Sequence, residues 1–124
     1  MDGDTAGANG RLTVSVQPWT HGVVIRPDGD LDHDTAGPLR EALDAVLADP
    51  PARVVVDCGG LEFCDSTGLN LLLRSQATAE AGGGRLVIAA PREMVARMLT
   101  VTGVGEVLQV YPSLDEALAG QADD

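Results

Sequence analysis

The sequence contains no lysine, and all eight basic residues among its 124 are arginine. This absence excludes a phosphate-loop lysine, a Schiff-base lysine and the lysine that kinases and receiver domains require. Aromatic residues make up only 2% of the chain, too few to build platforms on which nucleic-acid bases stack. The 19 acidic residues bring the formal charge to −11, which repels phosphate backbones. We therefore expect no nucleic-acid partner.

Long hydrophobic runs are also missing. No stretch approaches the roughly 20 apolar residues that cross a bilayer, and the polar, acidic N-terminus is unlike a signal peptide. We therefore expect a cytoplasmic protein with no membrane partner. Cys58 and Cys64 are the only cysteines. In a reducing compartment we expect two small buried apolar side chains, and neither a disulfide nor a zinc site.

The length and the 44% hydrophobic content suit one domain with one core. Residues 1–10 and 120–124 are polar and have little to bury, so both are predicted to be disordered tails. The segment 11–119 between them is the predicted domain. It contains no internal repeat and no linker.

Hydrophobic periodicity predicts the element order β-β-α-β-α-β-α-β-α. RLTVSVQ alternates as a half-buried strand does, and VVIRP, after the turn residues PWTHG, is a second strand that is expected to pair with it as an antiparallel hairpin. RVVVD is typical of a central strand covered on both faces. RLVIAA and VLQVY supply two more strands, and the pair Ser113 and Glu116 forms a capping box for the last helix. The sequence thus predicts a single α/β domain with a mostly parallel sheet, an N-terminal antiparallel hairpin edge and about four helices.

Two segments that follow strands and lead into helices are candidate sites, because sites in open α/β sheets gather there. The first, GDLDHDT, follows Asp28 directly, and with that residue it concentrates four aspartates around His33: Asp28, Asp30, Asp32 and Asp34. Its spacing matches no calcium loop, so we expect a solvated acidic loop in which Asp34 or Thr35 caps the next helix. Its functional interpretation is an acidic recognition edge beside Ser66 that faces arginines of a partner.

The second segment, FCDSTGLN, precedes a long apolar helix predicted from about Ser66 to Ala81. One of its hydroxyls or the Asp65 carboxylate is expected to cap that helix, which is the simplest interpretation. Ser66 is in addition expected to be exposed at the positive end of the helix dipole. Its phosphorylation would add about −1.5 to −2 charges next to Asp65. A partner that fits the neutral hydroxyl would then be repelled without any refolding.

An enzymatic role is not expected. Ser66 lacks the G-x-S-x-G elbow of a serine hydrolase, and His21 and His33, the only imidazoles, do not lie in a pattern typical of a general base. Asp57 ends a strand as the phospho-acceptor of a receiver domain does. However, the first strand ends without the acidic pair that a receiver needs, and lysine is absent. We expect no catalytic residue, no metal and no cofactor.

The strings GDLDHDTAGPLR and VVVDCGGLEFCDSTGLNLLL resemble the STAS domain of the anti-sigma factor antagonist family, with its G-E-L-D and D-S-[ST]-G-L motifs. The resemblance covers about residues 11 to 119. It implies a protein that, when unphosphorylated, binds a serine-kinase anti-sigma factor and thereby releases the sigma factor. It further implies that the kinase inactivates the protein by phosphorylating Ser66, and that a serine phosphatase restores it.

The same resemblance implies a partner-binding surface, and it implies a monomer or weak dimer. The residues assigned to that surface are Asp32, His33, Asp65, Thr67, Gly68, Leu69 and Asn70. Asn70 stands where the family commonly has glycine, and Cys64 where it has a larger apolar residue. The alternative is a STAS scaffold, or an accessory subunit of a signalling assembly or lipid transporter, that works without phosphorylation. Whether Thr67 is a second acceptor is left open.

Overall fold

The computed structural model describes residues 11–49 and 53–123, so the predicted tail at residues 1–10 lies outside the described residues. Six strands are seen: β1 Leu12–Trp19, β2 Gly22–Leu31, β3 Arg53–Asp57, β4 Gly60–Cys64, β5 Arg85–Ala89 and β6 Gln109–Tyr111. The helices are α1 Ala36–Ala48, α2 Ser66–Ala81, α3 Glu93–Val101 and α4 Leu114–Asp123, and a 3₁₀ turn covers Val104–Glu106. None of these described helices has the length and apolar character that crossing a bilayer requires.

All six strands belong to one sheet in which β1 and β2 pair antiparallel and the other pairs are parallel. The strand order is β1-β2-β3-β5-β6. β4 also pairs with β2, along the half of β2 that extends past β3. The predicted α/β class, the antiparallel hairpin edge and the four helices are confirmed.

Strand β4 is absent from the predicted element order, in which the third strand, RVVVD, is followed directly by a helix. Leu61 and Cys64 are buried, whereas Glu62 and Phe63 between them are exposed. The register between β2 and β4 shifts between Gly29 and Asp30, so the burial does not alternate every two residues. This shift removes the periodic signal by which a strand is recognised.

The sheet is covered on both faces, and the central strands are apolar for that reason. Val54 and Val56 belong to a core cluster that includes residues of α1, α2 and α3. Val55, between them, packs in a second cluster with Ala117 of α4. Because successive side chains of a strand face opposite sides, the continuous run RVVVD contributes side chains to both core clusters.

The helix ends follow the sequence in most places. α2 runs over the predicted range, and the glycines after it end it, with Gly83 in the left-handed region at φ 88°. At the start of α4, the Ser113 hydroxyl accepts a hydrogen bond from the Glu116 amide at 3.1 Å. α4 ends at Asp123, inside the segment predicted as a tail from residue 120.

The expected side-chain cap of α1 is wrong. Thr35 is the N-cap residue, but its side chain makes no capping hydrogen bond. Its buried hydroxyl instead donates to the Asp30 carbonyl at 2.7 Å and accepts from the Asp32 amide at 2.8 Å. The Thr35 side chain therefore stabilises the turn before α1 through these two hydrogen bonds and does not cap the helix amides.

Candidate functional site

The two candidate segments meet where β2 and β4 end side by side. Leu31, the last residue of β2, is opposite Cys64, the last residue of β4, in this parallel pair. The segments that follow the two strands therefore begin next to each other at the same edge of the sheet. The Leu31 carbonyl accepts a hydrogen bond from the Asp65 amide at 3.1 Å. The Asp65 carboxylate accepts another from the His33 amide at 3.2 Å. The predicted proximity of the acidic turn to Ser66 is therefore present in the structure.

Asp65 is the N-cap of α2, one of the capping alternatives that the sequence left open. Its Oδ1 accepts from the amides of Thr67 at 2.9 Å and Gly68 at 3.2 Å, and its Oδ2 accepts from His33. The carboxylate thus satisfies two of the unpaired amides of the first helical turn. It also ties the acidic turn to the helix, so the two segments form one unit.

Ser66 is the first residue of α2, and its side chain is exposed. Since Asp65 provides the cap, the Ser66 hydroxyl is not needed for it and makes no hydrogen bond to any residue that the structure describes. The helix dipole places partial positive charge at this end. Ser66 therefore presents an unbonded hydroxyl at a position that favours an added negative charge.

Two of the predicted partner-binding residues, Gly68 and Leu69, are buried. A Cβ atom at Gly68 would lie 2.6 Å from Leu31 Cδ2, which is closer than such atoms approach, and would make a tight contact of 3.0 Å with Cys64 Sγ. Gly68 lets the first turn of α2 sit directly on the end of β2. These two residues position the helix start and present no side chain to a partner.

Asn70 and His33 are the predicted partner-binding residues with exposed side chains, and Thr67 is half-buried. Asn70 lies four residues after Ser66, so the two side chains are neighbours on one helix face. A partner that contacts the Ser66 hydroxyl would therefore meet the Asn70 amide next to it. The three residues flank Ser66 without covering it.

Asp32 is engaged within the chain. Its Oδ1 accepts from the Asp34 amide at 2.9 Å and its Oδ2 from Arg11 Nη1 at 2.9 Å. Partial burial acts to raise the pKa of Asp32, but the hydrogen bonds from Asp34 and Arg11 outweigh it and hold that pKa below its ordinary value. Asp32 is therefore an organiser of the turn, and Arg11 neutralises part of the acidic edge.

Phe63 was not assigned to the partner-binding surface from the sequence. It lies on β4, three residues before Ser66, and its side chain is 41% exposed although it is a large apolar group. Among the exposed large apolar side chains of the described residues, Phe63 is the nearest to Ser66 in the sequence. Its exposure could not be inferred because it depends on the register shift of β4.

The two cysteines are free and buried, as the sequence predicts. Burial raises the pKa of both thiols, that of Cys64 to about 12, with a further contribution from the Asp65 charge. Such thiols are protonated at neutral pH and poorly nucleophilic. Within the described ranges, no group of three or more His, Cys, Asp or Glu side chains is placed to hold a metal ion.

The fold and site define a small α/β domain with an exposed serine at a helix N-terminus, beside a turn ordered by aspartates. The family model described as "Mlab, STAS domain" matches residues 14–110. The chain belongs to the STAS domain family.

Its relatives include the anti-sigma-F factor antagonist RsfB of Mycobacterium tuberculosis, 31% identical over 111 residues, which are 88% of each chain. A crystal structure of an anti-sigma factor antagonist from Mycobacterium paratuberculosis superposes with a TM-score of 0.83 at 30% identity, covering 90% of this chain and 94% of that one. The anti-sigma factor antagonist SpoIIAA in its unphosphorylated form shares the fold, with a TM-score of 0.76, 24% identity, and coverage of 90% and 98%.

Proposed function

We propose that this chain is an anti-sigma factor antagonist whose binding to its anti-sigma factor is ended by phosphorylation of Ser66. The observation that carries the proposal is the exposed, unbonded Ser66 hydroxyl next to a carboxylate that already caps the helix. The Mycobacterium tuberculosis and Mycobacterium paratuberculosis relatives described above, each at least 30% identical, are both anti-sigma factor antagonists. Their coverage extends over nearly the whole described chain.

The site favours a switch that changes the surface and leaves the fold intact. A phosphate on Ser66 would add about −1.5 to −2 charges at the first residue of α2, where the helix dipole offsets part of the repulsion. Asp65 would keep its backbone partners because the Ser66 hydroxyl takes no part in the cap. The phosphate is therefore expected to weaken binding of the partner, whose surface fits a neutral hydroxyl, and to leave the stability of this fold unchanged.

The surface around Ser66 suits a protein partner. It combines an exposed aromatic ring at Phe63, the Asn70 amide and the exposed His33. An apolar anchor surrounded by polar groups is the common composition of an interface centre. Asp34, whose carboxylate is exposed, contributes negative charge at the rim, which favours a basic partner surface.

Phosphorylation is tested with the purified anti-sigma factor kinase, ATP and this protein, followed by intact-mass measurement. We expect the wild type to gain one phosphate and Ser66→Ala to gain none. Ser113→Ala is the matched control, because Ser113 also lies at a helix N-terminus but caps it; this variant should be phosphorylated like the wild type. A phosphate gain by Ser66→Ala would contradict the assignment, and its mapping to Thr67 would identify that residue as the acceptor.

The scaffold alternative predicts a larger assembly than the antagonist function does, so the two are distinguished by size. As an antagonist, the protein alone should elute as a monomer or dimer and form a defined complex with its anti-sigma factor. A large homogeneous assembly that is insensitive to Ser66→Asp would favour the scaffold.

A further inference from the structure

A groove between α1 and α2 is lined by polar residues that the Ser66 site does not use. Its volume is about 130 Å³, and its polar lining comprises Arg40, Asp44, Arg74, Ser75 and Thr78. Arg74 lies eight residues after Ser66, which at 1.5 Å per residue is about 12 Å along the axis of α2. The groove is therefore separate from the phosphorylation site.

Among the described residues, both arginines of this groove lack a partner for their guanidinium groups. Neither Arg40 nor Arg74 makes a salt bridge or a side-chain hydrogen bond with any residue in the described part of the chain. By contrast, Arg11, Arg26 and Arg97 are each paired with a carboxylate. Carboxylates of the same chain are abundant as possible partners for arginine, since the formal charge is −11. Two unpaired guanidinium groups on facing helices therefore mark a local site of positive charge.

Ser75 adds an unsatisfied buried donor to the same groove. Its side chain is only 6% exposed. Its hydroxyl makes no hydrogen bond within the described residues, whereas Thr78 donates to the Arg74 carbonyl at 3.1 Å. Buried polar groups in folded proteins are almost always hydrogen-bonded, so the Ser75 hydroxyl has donor capacity that a water molecule or an anion in the groove can satisfy. The Ser75 hydroxyl is placed to donate to a group that enters between the arginines.

We propose that the groove between α1 and α2 binds a phosphate group. Two guanidinium groups and one hydroxyl supply donors from both helices, which suits a tetrahedral oxyanion better than a planar carboxylate that a single arginine satisfies. Asp44 supplies an acceptor on the same wall. Hydrogen phosphate carries a proton on one oxygen and can donate it to Asp44, whereas sulfate at neutral pH has no such proton.

The test is a titration of the ¹⁵N-labelled protein with inorganic phosphate, followed by amide NMR shifts, with sodium chloride at matched ionic strength as the reference. We expect saturable shifts at Arg74, Ser75 and Thr78 with phosphate, and weaker binding of sulfate. Arg74→Gln and Ser75→Ala should each weaken phosphate binding about tenfold, the effect of losing one charge-assisted hydrogen bond. Arg97→Gln removes the same charge from a residue of α3 that does not line the groove, and this variant should bind phosphate like the wild type.

Three results would overturn the proposal. These are shifts that chloride reproduces, sulfate binding as tight as phosphate binding, and an unchanged phosphate affinity in both groove variants. Amide spectra recorded without ligand show that each variant is folded, so a loss of binding cannot be confused with a loss of structure. Because Ser66 lies outside the groove, Ser66→Ala should bind phosphate normally, and the outcome is independent of the proposed antagonist function.

Discussion

Gly68 determines how closely the start of α2 approaches the sheet. The space that a Cβ atom would need is occupied by Leu31 and Cys64, both of them core residues. The D-S-T-G string therefore combines a cap, an exposed hydroxyl and a close contact in four consecutive residues. Asp65, Ser66 and Gly68 are thus explained by three different physical requirements.

Gly68→Ala should destabilise the protein by about 1–3 kcal/mol, because the added methyl group overpacks a well-filled core. Gly37→Ala is the matched control. Gly37 also lies in the first turn of a helix, but a Cβ atom there meets nothing within 4 Å. Since alanine favours helix over glycine, this second variant should be as stable as the wild type or more stable. Urea unfolding of the three proteins checks the order, and equal stability of the two variants would contradict the packing argument.

The buried thiols predict a pH dependence at alkaline pH. The folded-state pKa of Cys64, about 12, is raised above the value of about 8.5 expected when unfolded, and that of Cys58 is raised too. Above about pH 8.5 the unfolded chain therefore loses protons that the folded chain keeps, so stability falls as pH rises through this window. Lysine is absent, so few other groups titrate there.

Urea unfolding between about pH 8 and pH 10 measures this slope, which should not exceed about 1.4 kcal/mol per pH unit for each thiol. The variant Cys58→Ala/Cys64→Ala should lose most of the decline, although its absolute stability is lower. A decline of equal steepness in the variant would show that other groups cause it.

At the scale of elements, Arg26 of β2 bridges two strands. Its Nη1 lies 3.0 Å from Oδ2 of Asp57, at the end of β3, and its Nε lies 3.0 Å from Oδ1 of Asp28. The hydrogen bond that Arg26 donates to Asp28 raises the pKa of Arg26, and the Asp57 charge adds to this against the effect of partial burial. Asp57, whose position resembled that of a receiver phospho-acceptor, is therefore half of a structural ion pair.

Arg26→Ala should cost about 2 kcal/mol, because it leaves the buried Asp57 carboxylate without its charged partner. The value is below that of a fully buried pair because the Arg26 side chain is 42% exposed, so solvent screens part of the interaction. Arg97→Ala breaks an exposed pair with Glu93 and should change stability by less than about 0.5 kcal/mol. Thermal unfolding of both variants checks the difference, and similar losses would contradict a special role for Asp57.

Sequence patterns predicted those elements whose burial follows a regular period. RVVVD and the helix at Ser66–Ala81 are examples, because their apolar residues repeat as strands and helices require. β4 was missed since its pairing shifts register, and the exposure of Phe63 was missed with it. The Arg26–Asp57 pair was also missed, because the two residues are 31 positions apart and only the β2–β3 pairing brings them together.

At the scale of the whole molecule, the negative charge and the proposed site act together. The formal charge of −11 favours approach of a basic partner from a distance. Asp65 is adjacent to Ser66, and the exposed Asp34 lies on the turn whose His33 amide donates to Asp65. Association of the unphosphorylated protein with its anti-sigma factor should therefore slow as salt is raised. An on-rate that does not change with salt would contradict electrostatic steering.

The proposed switch is tested most directly by calorimetric titration of the anti-sigma factor into this protein with and without phosphate on Ser66. We expect binding at least about tenfold weaker for the phosphorylated form, a loss of about 1.4 kcal/mol or more, with unchanged thermal unfolding of the antagonist. Equal affinity of the two forms would contradict the switch. A loss of affinity accompanied by unfolding would contradict the claim that phosphorylation acts on the surface alone.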